Sequence, residues 1–209
     1  MEIQGKTIVF LGDSITQGVG ASSEKNVFHQ ITARNFNLKS AINFGISGTR
    51  IAKQTKFYNQ FYDLYFELRE DIMPRDVDAV FVFGGTNDYG HGDAKMGEED
   101  SVDVYTFCGA LNSLILKLKK DYSGKEIIFM TPMHRTNETE PSAPENKVLE
   151  DYVIAMRNIC KKHNIKLIDA FENLNLDPKD KDYFGDGLHP TDKDHFELGM
   201  FVGNELLKI

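Results

Sequence analysis

Short apolar runs alternate along the chain with longer stretches of helical period. Five runs read as buried strands: Lys6–Leu11, Ser40–Phe44, Ala79–Phe83, Ile127–Met130 and Lys166–Ile168. They are continuous rather than alternating, as expected of strands covered on both faces. They are closed by Gly12, Gly45, Gly84-Gly85, Thr131-Pro132 and Asp169 in turn. Helical patterns fill the intervals at about Val27–Phe36, Gln54–Met73, Tyr105–Lys120, Glu145–His163 and Asp192–Lys208. In the fourth, Val148, Tyr152, Ala155 and Ile159 share one face; in the last, Thr191 stands as N-cap with Asp194 three residues on, a variant of the capping box. Strand–helix alternation predicts a three-layer α/β/α sandwich, and right-handed crossovers make it a five-stranded parallel, flavodoxin-like doubly wound sheet. Two long loops are expected, Thr86–Val104 and Pro132–Pro144.

The length of 209 residues suits one domain spanning 1–209. No apolar stretch nears the ~20 residues of a membrane span. The N-terminus shows no basic segment followed by an apolar one, so a cytoplasmic location is expected. The two cysteines, Cys108 and Cys160, lie inside helical patterns and read as buried thiols, neither a disulfide framework nor a zinc site. The formal charge of −8 opposes binding to nucleic acid or to anionic membranes. Acidic residues concentrate in Asp88–Asp103 (Asp88, Asp93, Glu98, Glu99, Asp100, Asp103), which reads as a solvated loop.

In a doubly wound sheet the site lies beyond the carboxyl ends of the strands. The sequence there is Gly12-Asp13-Ser14-Ile15-Thr16 after strand one, Asn43 to Gly48 at strand two, and Gly84-Gly85-Thr86-Asn87-Asp88 after strand three. Asp186-Gly187-Leu188-His189 follows near the C-terminus. These four pieces, in this order, resemble the four blocks of the SGNH (GDSL) hydrolase family, and the resemblance covers nearly the whole chain.

The resemblance implies a serine ester hydrolase with Ser14 as nucleophile, His189 as base and Asp186 as its partner. An oxyanion hole is implied from the backbone N–H groups of Ser14 and Gly48 and the side chain of Asn87. Acyl transfer needs those residue types: a hydroxyl, a base to take its proton, an orienter for the base, and donors aimed at the oxyanion. Asp13 and Asn43 also match the blocks and read as local hydrogen-bonding residues. Asp13, Tyr89, His91, His134 and Arg135 are the candidates for contact with substrate. Members of the family cleave acetylated sugars, lysophospholipids, thioesters and short acyl esters. The polar segments flanking the blocks favour a short acyl group on a polar alcohol such as a carbohydrate, with a lysophospholipase or thioesterase as the alternative.

Other signatures fail. Gly5-Lys6-Thr7 precedes its strand and lacks the leading Gly of a phosphate loop. Thr16 occupies the second-Gly position of the α/β-hydrolase nucleophile elbow. No cofactor or metal is implied, although Asp186, His189 and His195 could in principle share an ion. A non-catalytic binding module on the same fold stays open as a second class; it has no need for nucleophile, base and oxyanion donors together. The aromatic stretch Phe57, Tyr58, Phe61, Tyr62, Tyr65, Phe66 reads as core before cleft or subunit contact. The expected partner is a small-molecule ester, and the oligomeric state is not legible.

Overall fold

The computed structural model describes residues 2–53, 64–92, 94–142, 144–180 and 185–209. The strands are β1 (Thr7–Gly12), β2 (Ser40–Gly45), β3 (Ala79–Phe83), β4 (Glu126–Met130) and β5 (Lys166–Ile168). Each lies within a residue of its predicted bounds. All pair in parallel in the order β2-β1-β3-β4-β5. That is the flavodoxin-like order, with its switch point between β1 and β3.

The apolar runs are continuous because each strand feeds two cores. Val9, Leu11, Val80, Val82 and Phe129 face one core, and Ile8, Phe10, Phe81, Phe83, Ile128 and Met130 face the other. The first is covered by α3 (Phe66–Glu70), α5 (Phe107–Asp121) and α6 (Leu149–Lys162), the second by α2 (Phe28–Asn35) and α8 (Asp192–Lys208). The α2 and α8 backbones approach closely: a Cβ on Gly199 would lie 2.7 Å from the Phe28 carbonyl oxygen. Thr32 Oγ1 seals that contact, donating to the Gly199 carbonyl at 2.8 Å. The Thr191 N–H donates to the Asp194 carboxylate at 3.1 Å, as the capping pattern predicts.

Three expectations need correction. The segment after β3 does not begin as a loop, because Thr86–His91 forms a short helix, α4, entered through Gly85 at φ 108°. The patch Gln54–Met73 is not one helix in its described part: Tyr65 is extended and α3 starts at Phe66. Phe57, Tyr58, Phe61 and Tyr62 lie outside the described residues, as does Asp93. The acidic run is not uniformly solvated either. Glu98, Glu99, Asp100 and Asp103 are exposed, whereas Asp88 is 0% exposed. Both cysteines are free and buried, and burial pushes their thiols up to about 11 for Cys108 and about 12 for Cys160. No described helix is long and apolar enough to cross a membrane.

Two histidines sit inside the core around α2. The His29 Nε2–H donates to the Thr16 carbonyl at 3.1 Å, and the Phe28 N–H donates to His195 Nδ1 at 3.4 Å. Burial pushes both imidazoles down to about 4, so they are neutral in the fold at neutral pH. An unfolded chain would protonate them near the ordinary ~6.5. The depressed value means that stability is full above ~6.5 and is lost as pH falls toward about 4. The wild-type Tm should therefore fall relative to His195→Gln between pH 7 and pH 4.5. The two free energies should converge or cross by on the order of 3 kcal/mol. A pH-independent Tm difference would show that His195 does not titrate in this way.

Candidate active site

The strand ends are level. Gly12 registers with Gly45 on one side and Phe83 on the other, so the segments leaving β1, β2 and β3 emerge side by side. Glycine permits the crowding that follows. A Cβ on Gly12 would meet Thr16 Oγ1 at 2.0 Å and the Phe83 carbonyl at 2.8 Å, and one on Gly45 would lie 2.1 Å from the Gln17 nitrogen.

Ser14 opens the short helix α1 (Ser14–Gln17), capped by Asp13, whose carboxylate accepts from the Ile15 N–H at 3.0 Å. Asp13 is 1% exposed. Burial pushes its pKa up to about 6, against the Ile15 hydrogen bond and the charges of His189 and Arg69. It is a cap closed to ligand, which corrects its place among the substrate contacts. Asn43 also acts locally, accepting from the Gly45 N–H at 2.8 Å.

The turn after β2 carries Gly48 at φ 76° and is held from several sides. Ile46 N–H donates to the Gly12 carbonyl at 3.1 Å, and Ser47 N–H to Gln17 Oε1 at 2.6 Å. The Asn87 side-chain amide donates to the Thr49 carbonyl at 3.0 Å. Asp88, beside it on α4, accepts from the N–H groups of Ile51 and Ala52 at 3.1 and 2.8 Å. Burial raises the Asp88 carboxyl above its ordinary value, while the Arg50 charge and these hydrogen bonds oppose the rise. Arg69 of α3 donates through Nη2 to the Gly12 carbonyl and Thr49 Oγ1, both at 2.9 Å, and through Nη1 to the Phe44 carbonyl.

His189 arrives on a turn in which Gly187 adopts φ 77°. Asp186 Oδ1 accepts from the N–H groups of Leu188 and His189 at 3.0 and 2.8 Å, and Oδ2 lies 2.6 Å from His189 Nδ1. On the other side of the ring, Nε2 is 2.9 Å from Ser14 Oγ. A carboxylate on Nδ1 selects the tautomer with a proton there, leaving the Nε2 lone pair for the serine hydroxyl. Burial raises the Asp186 pKa, but the hydrogen bonds from His189 and Leu188 outweigh it and hold the carboxyl at about 2. Thr136 N–H anchors the turn by donating to the Gly187 carbonyl at 2.9 Å.

The remaining candidates surround this centre without forming one surface. Tyr89 is buried, and its hydroxyl is engaged by the Asn137 and Glu140 carbonyls, so it is a strut rather than a free ligand donor. His91 meets the Gly48 backbone; burial, with Arg50 and Arg135 nearby, pushes its imidazole down to about 4. His134 pairs with Glu138 at 2.9 Å and lies 4.1 Å from the Phe171 ring. Arg135 Nη1 reaches the Thr86 carbonyl and hydroxyl at 3.3 and 3.2 Å. His195 is turned into the α2–α8 core. Among the described residues no group of three or more His, Cys, Asp or Glu side chains could hold a metal ion. Sequence reasoning missed Arg69 and Asp88. Arg69 carried no distinguishing signal, since it stands beside Glu67, Glu70 and Asp71 as one charge among several in its helical pattern.

The chain matches the GDSL-like Lipase/Acylhydrolase family profile over residues 10–195. Among solved structures, a protein from Lactobacillus plantarum superposes with a TM-score of 0.81 at 24% identity, covering 99% of this chain and 96% of that one. A protein assigned as a GDSL-like lipase from Bacteroides ovatus gives 0.71 at 22% identity, over 98% and 99% of the two chains. The acetyl xylan esterase AlAXEase gives 0.64 at 22% identity, over 97% and 98%. These identities speak for the fold. No curated protein matches the sequence.

Asp88→Ala should destabilise the fold strongly. It strands two buried N–H donors and leaves Arg50 without the carboxylate that offsets its charge, for which ~3–5 kcal/mol is expected. Urea unfolding measures the loss, and a change below ~1 kcal/mol would mean that Asp88 does not carry the turn.

Proposed function

The chain belongs to the GDSL-like lipase/acylhydrolase family, and on that premise we propose that it hydrolyses carboxylic esters through an acyl-enzyme on Ser14. One observation carries the reading: the His189 ring lies between Ser14 Oγ, 2.9 Å from Nε2, and Asp186, 2.6 Å from Nδ1.

Ser14 Oγ attacks the ester carbonyl carbon while His189 Nε2 takes its proton. Asp186 keeps Nδ1–H in place and stabilises the imidazolium; with a pKa of about 2 it stays ionised through the working range. The tetrahedral oxygen accepts from the N–H groups of Ser14 and Gly48 and from the Asn87 amide. Asn87 spends one amide hydrogen on the Thr49 carbonyl and keeps the other for the oxyanion. Donors fixed beforehand in this way need no reorganisation as charge develops. Collapse expels the alkoxide, which leaves with the proton from His189. A water then gives its proton to Nε2, attacks the acyl carbon and releases the carboxylic acid, restoring Ser14.

Ser14→Ala should keep the fold and lower kcat on p-nitrophenyl acetate by on the order of 10⁴–10⁶. A fluorophosphonate probe should add to Ser14. Normal turnover in the variant, or labelling at Cys108, would remove the serine mechanism.

For substrate we propose a short acyl group on a polar alcohol such as a carbohydrate. Two segments that leave the strand ends carrying the site are polar: Gln17 to Ser23, and His134-Arg135-Thr136-Asn137. Among the structural relatives is an acetyl xylan esterase. Each acyl methylene gains ~0.8 kcal/mol only when it is fully buried against apolar surface, and such walls offer little. Across C2 to C12 p-nitrophenyl esters, kcat/KM should peak at C2–C4. A monotonic rise to C8 or beyond would point instead to a lysophospholipase-type or thioesterase-type acylhydrolase.

A further inference from the structure

Arg135 holds its charge in an unusual setting. The guanidinium is half-buried, yet among the described residues it forms no ion pair, in a chain of net charge −8. Only Nη1 is hydrogen-bonded, to the carbonyl and hydroxyl oxygens of Thr86. Nε is buried without a partner; Nη2 makes no hydrogen bond and is not closed off in that way. The group is nevertheless fixed. Its plane lies over the Tyr89 ring, 5.5 Å from the centroid, and Tyr89 is itself held by the Asn137, Glu140 and Ser142 segment. Gly90 leaves the room it needs, since a Cβ there would come within 2.8 Å of Nη1.

Its place is equally specific. Thr86, the residue Arg135 grips, immediately precedes Asn87. Thr136, its neighbour, is hydrogen-bonded to the Gly187 carbonyl in the turn that carries Asp186 and His189. Arg135 lines two cavities, one of about 140 Å³ with Tyr89, Gly90 and Glu140 and one of about 350 Å³ between residues 134–139 and 176–179. Glu138, Asp177 and Lys179 line the larger one too: the Glu138 carboxylate is already engaged by His134 and the Arg135 N–H at 2.9 and 3.0 Å, and Asp177 accepts from the Lys179 N–H at 2.9 Å. Asp13 and Asp186 act on Arg135 only at longer range. In acyl transfer the alcohol half of the ester must lie beside the base that protonates it. Thr136 lines the larger cavity and ties it to the turn that carries His189, which makes that cavity the candidate for the alcohol side.

We propose that Arg135 is a specificity residue that selects esters whose alcohol half carries a carboxylate, as in an acidic sugar, with Nη2 donating to that carboxylate. This rests on the esterase reading and narrows its polar alcohol to an anionic one. A charge-assisted hydrogen bond from a pre-positioned guanidinium is stronger than one from a neutral donor, and nothing has to be displaced to form it.

The test uses 4-acetoxybenzoate and its neutral isostere 4-acetoxybenzamide. Wild-type kcat/KM should favour the carboxylate by about tenfold at low ionic strength, with the preference shrinking as salt is added. The ratio should collapse toward one in Arg135→Gln and survive in part in Arg135→Lys. Calorimetry on Ser14→Ala should show the same preference in binding, without turnover. Equal kcat/KM for the two esters in wild type, or an intact preference in Arg135→Gln, overturns the assignment. If Arg135→Gln fails to fold, a wild-type preference that neither salt nor Arg135→Lys weakens overturns it equally. If the Ser14→Ala protein prefers the carboxylate but wild type cleaves neither ester, the esterase reading fails and the Arg135 site stands. If both esters are cleaved alike, the reverse holds.

Discussion

The arrangement around Ser14 depends on one buried cation. Arg69 is 1% exposed, and its guanidinium donates to oxygens from four separate pieces of chain: Gly12 at the end of β1, Phe44 in β2, Thr49 in the turn beyond it, and Leu64 ahead of α3. Its face rests on Phe66, 4.8 Å from the ring centroid. Burying a guanidinium costs several kcal/mol unless its donors are met, so the four segments can occupy only arrangements that keep their oxygens on it. Burial lowers its pKa to about 10, with Asp13 opposing the fall, and it stays charged at neutral pH. Thr49 transmits the constraint: its hydroxyl is on Arg69 and its carbonyl accepts from Asn87. Gly48, Asn87 and the strand end that delivers Ser14 are thus positioned by one network rather than by three independent loops.

Glycine makes that network compact. The planes of α1, the β2 turn and β3 come closer than side chains would permit at Gly12, Gly45 and Gly84, where a Cβ would overlap Thr16, Gln17 and Phe66 respectively. The His189 turn is brought in by similar contacts. Gly20 at φ 92° passes so near the Pro190 carbonyl that a Cβ would lie 2.2 Å away. Ser22 and Asn26 grip Asp192 at the start of α8. A residue far down the sequence reaches Ser14 because one segment near the start of the chain, Gly20 to Asn26, is pinned to Pro190 and to the first residue of the helix that follows.

Most of the architecture was legible because each strand reports its environment in its own letters. Val-Phe-Val at 80–82 alternates in size but never in polarity, which only a strand with two buried faces does. The triad candidates were equally visible, since Ser14, Asp186 and His189 each stand in a short motif of fixed spacing. What escaped is long-range. Asp88 looked like one more acid in a solvated run; only the fold turns its carboxylate toward the backbone of residues 51 and 52. Arg69 looked like the polar face of a helix. Helix α4 was hidden by Tyr-Gly-His-Gly, which has the composition of a turn, whereas its formation depends on Gly85 taking a left-handed conformation. Tyr89 and Arg135 were placed near the site, but their fixing contacts come from segments about fifty residues away.

Two carboxylates flank the serine and are driven apart by their surroundings. Asp13 is sealed under α1, where burial outweighs the Ile15 hydrogen bond and lifts it to about 6. Asp186 stands at the surface on a glycine turn, where burial is a smaller obstacle than three hydrogen bonds are a help, and it drops to about 2. The consequence is an assignment by environment rather than by proximity. The acid next to Ser14 in sequence is held inside the fold and kept off the imidazole's Nδ1. The distant acid stays ionised beside His189, where the proposed mechanism calls for a permanent negative partner. An exposed carboxylate alone would orient the ring poorly, because water competes for it. Here the backbone N–H groups of Leu188 and His189 hold Oδ1 and aim Oδ2 at Nδ1. The orienter is therefore rigid while partly exposed, and its hydrogen bonds outweigh the burial that would otherwise raise it as burial raises Asp13.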